Sequence, residues 1–446
     1  PHQQLIETQK KLHSLTYHVN LPLDTSCLPD LSHLIPKSGI INLKSAKASG
    51  KSFQMQKLCK HWKAQGKHVI SLTPRIALGR RQATEWEIQW IDELGRIHQE
   101  ISLGLCWDSL QKVSHLDWQK YVIVIDECEL GIEHLLCSST CKNRRSLLLK
   151  IFQEKIPECL HNGGTVVLSD ADLTDISVDY LNALAPSIPI FTIVNEALPK
   201  SWRIAFQTGK IDETLEQLFT DLEEGVKVAV ATDSQTEAEA LHWEINQRLP
   251  LCRVDRVDGK TCQQEYGKAW VNDPNRSLER NRPDVLIYTP SMGVGVSIVT
   301  DWFEVVYGLF HGILAPSQCR QMLARVRTLV PRKVWCRQKG LISKEEGSFY
   351  PEIIKSNLAF NLRDELSLLD LISAIAPDTE NLEEIYRVLS AIRNEGKWDN
   401  PHLETYAKLK ARRNYGLSQL ALQLRQELTE EGHDLLDLIV ADGTGS

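Results

Sequence analysis

Short apolar runs rich in β-branched residues alternate with segments of helical character along most of this chain, and that alternation restricts the fold more than any other feature. A first set comprises Ile40–Leu43, Val69–Leu72, Tyr121–Ile125, Val166–Leu168 and Ile188–Ile193; a second comprises Val226–Ala231, Cys252–Val257, Val285–Tyr288, Glu304–Tyr307 and Lys333–Cys336. Strands separated by helices form a parallel sheet covered on both faces. A chain of 446 residues exceeds what one hydrophobic core normally serves, so the two sets read as two α/β domains. The expected organisation is an N-terminal helix (Gln3 to Leu15) and Pro-punctuated connector over 1–38, α/β domains over 39–201 and 202–340, and an all-helical domain over 341–446. The last follows from apolar residues at helical spacing in Leu366–Ile375, Leu382–Ile392 and Leu417–Leu428, with almost no strand signal.

Hydrophobic content of 42% and charged content of 24% describe a soluble globular protein. No apolar run reaches membrane-spanning length, so no membrane is expected as a partner. The start, Pro1-His2-Gln3-Gln4, lacks signal-peptide regions and an initiating Met, which points to a piece of a longer chain. Eleven cysteines without paired spacing fit a reducing cytoplasm. A net charge of −7 argues against a surface coated in nucleic-acid-binding groups but leaves room for a local basic track. Candidate pieces are Arg75 with Arg80 and Arg81; Lys142, Arg144 and Arg145; Arg320, Arg325 and Arg327 with Arg332 and Lys333; and Lys408, Lys410, Arg412 and Arg413.

The first apolar run leads directly into Lys44-Ser45-Ala46-Lys47-Ala48-Ser49-Gly50-Lys51-Ser52. A small-residue turn between a strand and a helix points backbone N–H groups and a helix N-terminus at one spot, which suits a polyphosphate. ATP is therefore the expected cofactor, cradled by residues 45–52, with Lys51 reaching the β/γ-phosphates and Ser52 holding Mg²⁺. Ser45 stands where the usual pattern has Gly, which a negative φ tolerates. Further on, Tyr121-Val122-Ile123-Val124-Ile125 ends in Asp126-Glu127-Cys128-Glu129, carboxylates at the edge where the phosphate loop also opens. Asp126 is the second expected Mg²⁺ ligand, through water, and Glu127 the group that orients the attacking water.

Phosphoryl transfer also needs cations against the transition state. Gln321-Met322-Leu323-Ala324-Arg325-Val326-Arg327, on a predicted helix, supplies them. Two positions apart, Arg325 and Arg327 do not share a helix face, so one meets the γ-phosphate while the other reaches the partner domain or nucleic acid.

This ordered set resembles a superfamily 2 helicase over about residues 39–330. Ser71-Leu72-Thr73-Pro74-Arg75 is similar to the segment that touches the nucleic-acid backbone, and Leu168-Ser169-Asp170-Ala171-Asp172 occupies the place of the Ser-Ala-Thr coupling motif. Val230-Ala231-Thr232-Asp233-Ser234 resembles the motif that opens the second core. Tyr288-Thr289-Pro290-Ser291-Met292-Gly293-Val294-Gly295-Val296-Ser297 resembles the motif linking strand contact to ATP, and Gln321 to Arg327 the arginine-bearing one. Cys106-Trp107-Asp108-Ser109-Leu110, Gly295-Val296-Ser297 and Asp170-Ala171-Asp172-Leu173 look most like origin-binding helicases of viral and plasmid replicons, in particular the helicase part of cyanobacterial plasmid replication proteins. The resemblance implies two tandem RecA-like domains, a role for Gln321, Arg325 and Arg327 beside Lys51, Asp126 and Glu127, and Gly295 near the nucleotide. It also implies Thr73, Arg75, Ser109, Thr232, Thr289 and Ser291 along single-stranded or forked DNA, 3′-to-5′ travel, and a primase-like region in a longer parent chain. Two other readings stay open: an RNA-directed or duplex-translocating ATPase that never separates strands, and a DNA-binding scaffold with a decayed nucleotide site.

Other signals have plainer readings. His134, Cys137, Cys141, Cys159 and His161 are expected as buried thiols and capping histidines rather than a zinc site, and most tryptophans as core anchors. Asp258-Gly259 reads as a turn. The acidic stretch Glu427, Glu430 and Glu431 reads as a solvated face, and the end from Asp442 as frayed.

Overall fold

A computed structural model of the chain describes residues 2–437 except 96, 98, 99, 294, 295, 343–346 and 359–399. The expected helices at Leu366–Ile375 and Leu382–Ile392, the end from Asp442, and Gly295 lie outside the described residues.

Two parallel sheets organise the molecule. β1 (Val19–Leu23), β2 (Gly39–Ser45), β3 (His68–Thr73), β4 (Gln89–Trp90), β5 (Leu103–Cys106), β6 (Tyr121–Asp126), β7 (Thr165–Asp170) and β8 (Ile190–Asn195) form an eight-stranded sheet in the order β1-β8-β2-β7-β6-β3-β5-β4. β9 (Arg203–Gln207), β10 (Val228–Thr232), β11 (Val254–Val257), β12 (Val285–Tyr288), β13 (Val305–Phe310), β14 (Arg332–Cys336) and β15 (Asp434–Asp437) form a seven-stranded sheet in the order β11-β12-β10-β13-β14-β9-β15. Central strands such as β6 and β13 are buried along their whole length, because helices cover both faces. The edges are short or polar: β4 has two residues, and β1 is mostly exposed and carries Pro22, where a missing ladder N–H costs little. These are tandem RecA-like sheets, with a helical C-terminal region beyond them.

The connector and the tail each give a strand the sequence pattern did not disclose. β1 pairs with β8 and β15 with β9, both too short and too polar to stand out as apolar runs. The N-terminal helix runs His2–His13.

The C-terminal helices divide between the two sheets. In the helix Pro401–Ser418, capped by the Asn400 side chain, Ala407, Leu409 and Ala411 join the core of the first sheet. In the helix Leu420–Glu430, the buried Leu420, Ala421, Leu424 and Leu428 join the core of the second. A break at Gln419 lets one strap serve both. The turn that receives it needs two glycines: Gly312 has φ 95°, a Cβ there would lie 2.5 Å from Gly340 Cα, and Gly340 N–H donates to Leu417 O at 2.7 Å.

Trp86, Trp90, Trp107, Trp118 and Trp270 are buried core anchors, and all eleven cysteines are unpaired. Among the described residues no helix is long and apolar enough to cross a membrane.

Candidate functional site

The C-terminal ends of β2, β6 and β7 place the phosphate loop and the carboxylates side by side. Ser45 ends β2 buried; its hydroxyl donates to Ser49 Oγ at 2.6 Å and accepts from Asn195 Nδ2 at 3.0 Å. Its φ is not positive, so the Gly-to-Ser difference introduces no backbone strain, whereas Ala48 (φ 64°) and Gly50 (φ 87°) make the left-handed turns. Lys51 opens the helix Lys51–Ala64 and folds back, Nζ donating to Ser45 O at 2.7 Å and Ala46 O at 2.9 Å. Gly50 brings no side-chain cap, which leaves first-turn N–H groups available. An ammonium, open N–H groups and small residues at the turn fit a polyphosphate. The preceding connector braces the loop, with Leu28 N–H donating to Ser49 O at 2.9 Å and Gln54 Nε2 to Leu28 O at 2.8 Å.

Asp126 is buried, and both its oxygens are held: Gln82 Nε2 donates to Oδ2 at 2.7 Å and Ser169 Oγ to Oδ1 at 2.8 Å. Burial pushes its carboxyl up, with Ser169 and Lys51 opposing. Glu127 follows in left-handed backbone at φ 53° and caps the helix Cys128–Cys137. Burial and then the charge of Asp126 push its carboxyl up, against Lys51 and Lys47. A non-glycine in this conformation costs on the order of 1 kcal/mol and is held by its surroundings. The neighbouring acids are structural: Glu129 accepts from Thr174 N, Thr174 Oγ1 and Ser177 Oγ, and Asp170 from the N–H groups of Glu129 and Asp172.

Across the cleft, the arginine segment differs from the sequence expectation. The helix is Pro316–Leu323 and stops before either arginine. Ile298 N–H donates to Arg325 O at 2.8 Å and Arg327 N–H to Ile298 O at 2.9 Å, so residues 325–327 form a parallel bridge. Val326 is buried, and both arginines line one cavity of about 90 Å³ with Arg75, Gln321, Lys47 and Glu127. Arg325 is buried, donates to Thr289 O at 3.1 Å and lies 5.5 Å from the Tyr288 ring centre; burial lowers its pKa to about 10. Arg327 Nε donates to Ser297 Oγ at 3.3 Å and feels the charge of Glu127. Asp233, which sequence reasoning passed over, accepts N–H bonds from His311, Gly312, Ile313 and Leu314 and so fixes the approach to the helix Pro316–Leu323.

The residues expected along nucleic acid are placed unevenly. Thr73 is buried and closes a turn, accepting from Arg75 N at 3.1 Å; Thr232 is buried and accepts from Ser234 N at 3.2 Å. Thr289 is buried with its hydroxyl unpartnered, while Arg75 and Ser291 are exposed and Ser109 half-buried. Asp258 forms a turn, accepting from the N–H groups of Lys260 and Thr261.

Two surface readings are corrected. Arg412 and Lys408 are not a basic track: Arg412 pairs with Glu129 at 2.8 Å and Lys408 with Asp179 at 3.2 Å, binding the strap to the first domain. Glu427 and Glu431 are not a solvated face: Glu427 meets Arg320 at 2.6 Å, and Glu431 contacts both Arg320 and Lys47, the latter at 3.1 Å. Arg320 also meets Asp172 at 2.9 Å. These partners lie far apart in sequence, so helical periodicity alone could not reveal them.

No family model matches the chain. It is 31% identical over 346 residues to an uncharacterised protein of Picosynechococcus sp., an alignment covering 73% of this chain and 34% of that one. It is 29% identical over 215 residues to a protein of African swine fever virus named as a candidate helicase/primase complex protein, covering 48% of this chain and 20% of that one. The chain thus spans between a fifth and about a third of the length of these two relatives. The DEAD-box helicase Mss116 bound to ssRNA and UDP-BeF, 12% identical, aligns over 83% of this chain and 89% of that one with a TM-score of 0.51. S. cerevisiae Dbp5 bound to RNA and ADP BeF3, 14% identical, aligns over 82% and 91% with a TM-score of 0.50. These two likenesses show the tandem RecA-like fold.

Proposed function

We propose that this chain is the motor part of a DNA helicase or translocase of superfamily 2 that hydrolyses ATP between its two sheets and serves replication of a plasmid-like element. The observation that carries it is the single cavity where Lys47 and Glu127 of the first domain face Gln321, Arg325 and Arg327 of the second. ATP with Mg²⁺, when bound, supplies the phosphoryl group and the metal's charge neutralisation. Residues 45–52 are the phosphate cradle, with Ser52 and Asp126 as the metal-holding pair. Gln82 and Ser169 keep Asp126 aimed. Glu127 orients and polarises water, while Arg325 and Arg327 bring positive charge from the opposite wall.

Coupling follows from the same contacts. Gln82 sits on the helix Ile76–Glu85 that begins just after Arg75, so a strand gripped at Arg75 has a direct connection to Asp126. Arg75, Ser109 and Ser291 are the side chains best exposed to hold a sugar-phosphate backbone, with Thr73, Thr232 and Thr289 shaping the turns beneath. The cavity of about 90 Å³ is far below the roughly 300 Å³ of a small-ligand site, so binding requires it to enlarge. The viral relative's name, which couples a helicase with a primase, supports a role in replication. Unwinding of forked DNA against forked RNA tests this: ATP-dependent separation of the DNA fork is expected, and separation of RNA alone would overturn the DNA assignment.

A further inference from the structure

Lys47 lies in the phosphate loop, and Arg320 projects from the opposite domain, yet one carboxylate, Glu431, contacts both. Two cations from facing walls converging on one anion is the arrangement a phosphate group would find. Here the anion comes from the chain itself. We propose that Lys47 and Arg320 form a subsite for a phosphate of the nucleotide, and that Glu431, backed by Glu427, is its intramolecular occupant, holding the motor off until its ion pair with Lys47 is exchanged. This rests on the nucleotide reading given above.

Three features support an occupant rather than a plain structural pair. First, three carboxylates, Asp172, Glu427 and Glu431, surround the two permanent cations Lys47 and Arg320, with His433 beside Glu431 at 3.5 Å. Asp172 already pairs Arg320 within the sheet-borne part of the fold, so withdrawal of Glu431 leaves that guanidinium paired. Burial pushes the Glu427 carboxyl up, with Arg320 opposing and Asp172 adding, whereas at Glu431 burial is overcome by Lys47, His433 and Arg320, which hold its carboxyl well below the ordinary carboxylate range.

Second, the cluster divides the space between the domains. Lys47 lines the cavity of about 90 Å³ that holds Glu127, Arg325 and Arg327, whereas Arg320 and Glu431 line a larger one of about 520 Å³ reaching the root of the phosphate loop at Lys44. Gln318 and Gln321 line both. Release of Glu431 from Lys47 would join them into a cleft of nucleotide size.

Third, the helix carrying the carboxylates is anchored on one side only. Leu420, Leu424 and Leu428 are buried against the second domain, but Glu431 reaches the first through an ion pair. The helix can therefore stay on its own domain while the ion pair exchanges for another anion.

The test uses this chain, titrated with a fluorescent ATP analogue and assayed for steady-state ATP hydrolysis, comparing wild type, Lys47→Gln, Glu431→Gln, the double variant of these two, the shorter Glu431→Asp, Lys51→Ala and the control Glu430→Gln. Glu431→Gln and Glu431→Asp should tighten nucleotide on the order of five-fold and raise hydrolysis in the absence of nucleic acid, with Glu430→Gln unchanged. Lys47→Gln should weaken nucleotide more in the Glu431→Gln background than in wild type, because Lys47 is then released. Unchanged or weaker binding in both Glu431 variants, with wild type still binding nucleotide, overturns the occupant and leaves the ATPase reading standing. Failure of wild type to bind, with Lys51→Ala indistinguishable from it, overturns both.

Discussion

In the first domain Asp126 is fixed by Gln82 and Ser169 and Lys51 by two loop carbonyls, all from the same domain, whereas in the second the arginines differ sharply in how they are held. Arg325 is buried on the Thr289 carbonyl, Arg327 has a contact at 3.3 Å to Ser297, and Arg320 is engaged by carboxylates from two other parts of the chain. One wall is organised before anything binds. The other holds its charge in side chains that must change partners. Under the proposed function, a site built this way would retain phosphate and metal with the first wall and make turnover depend on how the second wall closes.

The comparison is sharpened most by removing one group from each wall. Glu127→Gln should lower ATP turnover by about 10²-fold or more while nucleotide stays bound, since it removes water activation rather than phosphate contacts. Arg327→Ala should lower turnover by a comparable or larger factor, up to roughly 10³, without moving the melting temperature, because the side chain supports little else. Turnover and thermal melts measured together check both. An Arg327→Ala protein that turns over normally would break the comparison.

Removing support from the organised wall should do less. Gln82→Ala leaves Asp126 in place but unaimed, and should weaken apparent Mg²⁺ affinity by about 10-fold, the usual range for a hydrogen bond to a metal-holding carboxylate. Titrating hydrolysis against Mg²⁺ reads this directly.

The paired carboxylates also set a pH dependence. Burial raises Asp126 and Glu127 above their ordinary values of 3.8 and 4.5, so the folded chain binds these protons more tightly than the unfolded chain. Their protonated forms favour folding, and that contribution is lost as pH rises through the raised values. Metal binding needs the charged forms. Apparent Mg²⁺ affinity should therefore strengthen with pH across a window above the ordinary carboxylate range, seen by repeating the titration from roughly pH 5 to 8. The smallest effect belongs to the middle of the strap: Lys408→Ala, which removes a partly exposed ion pair with Asp179, should cost about 0.5 kcal/mol or less in a denaturant melt.

How much of this was legible depended on sequence distance. The phosphate loop and Asp126-Glu127 are local patterns, each set by one strand and the turn after it, and the apolar runs disclosed the central strands because both faces of those strands are buried. Edge strands β1 and β15 carry no such signal. Gln82 is 44 residues from Asp126, and Arg320 is 107 from Glu427, so no local rule connects them. Arg325-Val326-Arg327 looks helical after Gln321-Met322-Leu323, yet the helix ends in a turn at Arg325, Val326 pairs with Ile298, and both arginines line one cavity. Tertiary pairing overrode propensity at the place where the two walls meet.

The most direct test of that meeting is steady-state ATP hydrolysis with and without single-stranded DNA, on wild type and Lys51→Ala in parallel. The account predicts turnover that the strand stimulates in wild type and that is abolished in the variant. Hydrolysis indifferent to Lys51, or absent from a folded wild-type chain with and without DNA, would contradict it.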